Sequence, residues 1–183
     1  MRIALVSSVL LLLSAPAAFA GTEEGPLYDS VMLIKDAFTA EGTFDTDARE
    51  NLLGAHDLLT GIIDGGEYTD EEYIAVMSLQ SLVKYNMACL DAIEGDLEGA
   101  FVWLDGAVSA GYTDAEWMAE DPDLEPLHGD VRFEHLLQEA YEIQSEIGAC
   151  WGVSSHSCTG DCCSSCPGSD ESCCGASSSA SCH

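Results

Sequence analysis

Around the dipeptide Gly95-Asp96, small residues recur at positions where two helices would have to touch. Ala88 and Ala92 precede the turn, and Ala100 and Ala107 follow it, seven residues apart. Two helices joined by so short a turn pack as antiparallel neighbours. Their axes approach to about 8–10 Å, which large side chains on both sides would prevent. Phe101, Trp103 and Leu104 then fill the remaining interface at the density of a protein interior. A chain with this pattern at its centre is built from helical hairpins.

The flanking segments predict more helices. Leu27 to Thr39 carries Val31, Met32, Ile34 and Phe38 at near-helical spacing. Asp47 is a candidate N-cap for a helix to about Ile63, with Leu52, Leu53, Leu58, Leu59, Ile62 and Ile63 along one face. Asp64-Gly65-Gly66 stops it. Thr69 and Glu72 form a capping box for a helix through Tyr73, Ile74, Met77, Leu79 and Leu82 to about Ile93. The next spans Leu97 to Ala110, with Gly111 as its C-cap. A short turn follows over Ala115 to Met118, with Thr113 and Glu116 as a second capping box. The last helix starts after Asp130 and carries Phe133, Leu136, Leu137 and Tyr141 to about Ile147. No run combines period-two alternation with β-branched enrichment, so the expected class is all-α.

The segment Ser81 to Asp114, with Ala88, Gly95, Ala100 and Ala107 in the small-residue and turn positions, resembles one tetratricopeptide repeat. That family repeats about every 34 residues. The continuation Gly111-Tyr112-Thr113-Asp114, Trp117, Asp121-Pro122-Asp123-Leu124, Pro126-Leu127, Arg132-Phe133 and Leu136-Leu137 is similar to the capping segment of bacterial members, and extends the likeness to about residue 137. The resemblance implies a short array of antiparallel hairpins with a closing helix. A single repeat cannot bury its own face, and about three are usual. The degenerate helices before Ser81 therefore serve as neighbours. In such an array Leu82, Tyr85, Cys89 and Ala92 fall where the family lines its concave groove. They either receive a partner segment or are covered by the second helix. The family likeness specifies fold and leaves the ligand open.

The two ends differ in kind from this body. Arg2, the apolar run Ile3 to Leu13, Pro16 and Ala18-Phe19-Ala20 read as a secretory signal over residues 1–20, cleaved before Gly21. The helical domain then covers residues 21–150, and its mature chain is expected to have no membrane span. Residues 151–183 are Ser, Cys and Gly with almost no aliphatic side chain. Such a tail builds no hydrophobic core and is expected to be irregular. Export, to the periplasm or beyond the cell, places the cysteines in oxidising surroundings. The whole chain has 5 basic and 33 acidic residues, a net charge of −28. That field repels nucleic acid and anionic membranes. It attracts basic partners or cations, or serves solubility alone.

The chemistry-bearing residues point in two directions. Cys150, Cys158, Cys162, Cys163, Cys166, Cys173, Cys174 and Cys182 could form four disulfides, leaving Cys89 as a buried free thiol. Alternatively Cys158, Cys162, Cys163, Cys166, Cys173, Cys174, Cys182 and His183 could hold zinc or cuprous copper. Cys89 with His56, His128 or His135 is a weak nucleophile–base candidate, because Cys89 sits mid-helix at a packing position. Asp121-Pro122-Asp123 lacks the glycine and closing glutamate of a calcium loop and suits a turn. No phosphate-cradling loop, nucleophile elbow or HExxH helix is present in the sequence. The expected function is an exported, non-enzymatic module that binds a protein or peptide and needs no cofactor, with thiophilic metal binding by the tail as the alternative. Intact mass separates the two. Four bridges lower it by about 2 Da each and leave the tail unalkylated before reduction. Free tail thiols with a native mass raised by zinc or copper identify the metal-binding form.

Overall fold

The structure, a computed structural model, describes residues 25–151, with side chains as far as residue 146. The expected leader and the cysteine-rich tail lie outside them. Six α-helices follow in order: α1 Pro26–Asp36, α2 Ala48–Gly65, α3 Asp70–Glu94, α4 Leu97–Ser109, α5 Ala115–Glu120 and α6 Val131–Trp151. A 3₁₀ turn, Glu125–Leu127, lies between α5 and α6. The chain is all-α. Among the described residues no strand forms, and one isolated antiparallel bridge joins Phe38 and Phe44.

Local signals set most of the helix ends. Thr69 accepts from the Glu72 amide while the Glu72 side chain accepts from Thr69, so two otherwise orphaned amides at the start of α3 are satisfied. Gly95 ends α3 in the left-handed region, at φ 87°, where a Cβ would be strained. Some helix ends and caps differ from the sequence reading. α1 stops at Asp36 rather than Thr39, whose backbone amide bonds to the Thr43 carbonyl instead. Asp47 stands at the N-cap of α2 without a side-chain cap bond. Asp114, not Thr113, caps α5, its carboxylate accepting from the Trp117 amide at 3.0 Å. The aspartate, one residue later in the turn, satisfies the Trp117 amide, where the threonine was expected to satisfy that of Glu116.

Two hydrophobic cores meet along α3. The N-terminal core joins Ile34 of α1 and Leu52, Ala55 and Leu59 of α2 to Val76, Leu79, Val83, Met87 and Leu90 of α3. The C-terminal core joins Tyr85, Ala88, Cys89 and Ala92 of α3 to Ala100, Phe101, Leu104 and Ala107 of α4. It continues through Met118, Leu124 and Leu127 to Phe133, Leu136 and Ala140 of α6. Full burial of a side chain such as Leu59 or Leu104 contributes about 1.5–3 kcal/mol. Phe44 and Trp103 pack against both cores. The closing helix α6 lies against α4 and α5.

The start of α4 runs so close to the end of α3 that Gly99 has no room for a methyl. A Cβ there would stand 2.6 Å from Asp91 Oδ2 and 2.8 Å from Asp96 Oδ2. Both carboxylates are engaged, Asp91 with Arg49 and Asp96 as the cap accepting from the Gly99 amide. Helix propensity alone would have Gly99→Ala stabilise α4 by about 1 kcal/mol. We expect a loss of about 1–2 kcal/mol instead, because the cap must give way. Urea unfolding of the two proteins decides the sign.

Candidate functional site

The four residues expected along a concave groove are all buried. Tyr85, Cys89 and Ala92 belong to the C-terminal core, and Leu82 is also buried. They present no open groove, and the α3 residues that share a core with α2 are Val76, Leu79, Val83, Met87 and Leu90. Ala88, Ala100 and Ala107 are fully buried in the C-terminal core, where their small size allows α3 and α4 to close.

What covers Tyr85 is the loop after α5. Its hydroxyl donates to Asp121 Oδ2 at 2.6 Å. Asp121 is 1% exposed, and its second oxygen accepts from the Asp123 amide at 2.9 Å. The Cys89 thiol stands 3.8 Å from Asp121 Oδ2. Tyr112 stacks flat on Tyr85, with ring centroids 4.2 Å apart. Burial pushes the Tyr85 and Tyr112 phenols far up. Burial first, then Asp121, does the same to the Cys89 thiol. All three stay protonated at neutral pH, and a protonated thiol is a poor nucleophile. The three candidate histidines are dispersed. His56 meets the Trp103 ring, His128 lies on Phe133, and His135 stands at the surface between α4 and α6.

That surface carries an open cavity. Phe101 and Leu136, both nearly buried, form its floor. Asp105 of α4 and Val131, His135 and Glu139 of α6 form its rim. The cavity holds about 330 Å³, near the lower end of small-ligand pockets. Val131 is 79% exposed, and Val102, one turn before Asp105, is 72% exposed.

Arg132 spans one end of this groove. Its guanidinium lies 3.9 Å from the Phe101 ring centroid, a cation–π distance. It bonds Glu98 Oε2 at 2.9 Å and Asp130 Oδ2 at 2.8 Å. Hydrogen bonds to Asp130 and Glu98 raise the guanidinium pKa, and hydrogen bonds to Arg132 hold the Asp130 carboxyl below its ordinary value. The charge of Arg132 is thus compensated inside the molecule. Asp105 and Glu139 have no ion pair among the described residues.

Sequence reasoning missed this groove because no motif marks it. The one usable signal is Val131, a bulky apolar residue at the first position of a helix whose core face begins with Phe133. The tail positions Cys158, Cys162, Cys163, Cys166, Cys173, Cys174, Cys182 and His183 lie outside the described residues, as does the side chain of Cys150. No family model matches the chain, and neither a curated protein nor a solved structure matches it.

Proposed function

We propose that this chain is an exported, non-catalytic interaction module, its hairpins arranged as in tetratricopeptide proteins, which binds a basic protein segment. The charge distribution carries this reading. The whole chain carries a net charge of −28, and the two arginines of the helical body are already paired, Arg49 with Asp91 and Glu94 and Arg132 with Glu98 and Asp130. What faces solvent is therefore largely uncompensated carboxylate. Such a field raises the encounter rate with cations and lowers it with anions. The buried Tyr85–Asp121–Cys89 cluster supports a non-catalytic role, because a carboxylate 1% exposed has no substrate to meet.

The test uses the full exported chain and synthetic peptides of equal length and graded net charge, titrated calorimetrically at low and high salt. Affinity should rise with positive charge and fall as salt is added, since surface charges are screened within about 10 Å at 0.1 M. Equal affinity for acidic and basic peptides, or binding of none, overturns the reading.

A further inference from the structure

Resting on that reading, we propose that the groove between α4 and α6 is the docking site, and that its occupant is an amphipathic basic segment of another protein. An apolar side chain of that segment would sit over Phe101 and Leu136, and lysines or arginines beside it would meet Asp105 and Glu139. The floor is built for an apolar group, because both floor residues are anchored in the C-terminal core and so hold their shape without a ligand. Exposed Val131 on the rim extends the apolar surface, and apolar surface rimmed by charge marks interaction sites.

Charge selects the occupant. Arg132 is taken up by Glu98, Asp130 and the Phe101 ring, so it neutralises neither Asp105 nor Glu139. The groove therefore presents two free carboxylates around an apolar centre. The chain's own tail is excluded on the same ground. Residues 152–183 carry Asp161, Asp170 and Glu171 and no lysine or arginine. A second copy of this acidic chain is disfavoured likewise. The cavity admits one or two side chains, so recognition takes the form of an anchor residue with flanking charges, the arrangement that peptide grooves use for affinity and register.

The experiment titrates the full chain with a synthetic amphipathic leucine–lysine peptide and with a serine–lysine peptide of the same length and charge. The leucine–lysine peptide should bind more tightly. Asp105→Asn with Glu139→Gln should weaken it by about fivefold, the expected size of two partly exposed ion pairs. Asp57→Asn with Asp64→Asn, an exposed acid pair on α2 away from the groove, should change it by less than about twofold. Val131→Ser, at a solvent-exposed position, should weaken the leucine–lysine peptide and leave the serine–lysine peptide unchanged. Equal loss from both acid pairs overturns the groove while leaving the basic-partner reading intact. Equal binding of both peptides overturns the apolar anchor, and binding of neither overturns both readings.

Discussion

Tyr85→Phe should lower the unfolding free energy of the helical body by about 2–3 kcal/mol. The hydroxyl it removes donates to Asp121 Oδ2 at 2.6 Å, and Asp121 is 1% exposed. A phenylalanine ring keeps the packing of the C-terminal core and the stacking on Tyr112. What it loses is the donor, and an acceptor left unsatisfied in the interior costs more than the bond itself contributed. The only other side-chain donor near Asp121 Oδ2 among the described residues is the Cys89 thiol at 3.8 Å, a weak one. Asp121→Asn, which keeps an acceptor oxygen, should cost less than Asp121→Ala. Urea unfolding followed by circular dichroism reads all three. A change below about 0.5 kcal/mol for Tyr85→Phe would mean that water takes the place of the hydroxyl.

The same bond ties α3 to the loop from which the 3₁₀ turn and α6 start. Its loss should therefore raise hydrogen exchange first in α5 and the start of α6, the elements with the fewest contacts to the rest of the body. The start of α6 carries one wall of the proposed docking groove, so peptide affinity should fall alongside stability.

Arg49→Met should cost about 2–3 kcal/mol. Arg49 of α2 reaches across to the end of α3, its Nη2 lying 2.7 Å from Asp91 Oδ1 and 2.9 Å from Glu94 Oε2. The two acceptors are unequal. The Asp91 side chain is 7% exposed and that of Glu94 is 58% exposed. Methionine keeps the apolar stem but leaves Asp91 buried without its cation. Glu94→Gln, by contrast, should stay within about 0.5 kcal/mol, as exposed pairs do. Arg49→Met combined with Asp91→Asn should recover part of the loss, because the uncompensated charge is gone. Thermal unfolding of the set is the check. Equal costs for Arg49→Met and Glu94→Gln would show that the exposed pair, not the buried carboxylate, sets the energy.

Much of the fold was legible because its signals are local. The capping box at Thr69 and Glu72 acts within one turn, and the left-handed Gly95 needs no distant partner. Ala88, Ala100 and Ala107 could be read as contact points from their size and spacing alone, and they are fully buried. The all-α class follows from these together with helical periodicity. The covering of each helical face was not legible. The long helix α3 is apolar on two sides, so a period of 3.6 says which residues share a face and not what packs on it. That is how Tyr85, Cys89 and Ala92 could be placed toward a groove when α4 and the Asp121 loop enclose them.

Helix formation, the position of most helix ends and the acidity of the surface were readable from the residues, because propensity, capping and charge are properties of near neighbours. The packing alone shows that α3 divides two cores, that Asp121 lies against a tyrosine 36 residues away, and that an apolar cavity opens between α4 and α6. Each depends on how loops fold back to bring distant residues together, and packing of that kind is set by the sum of many weak contacts rather than by any local pattern.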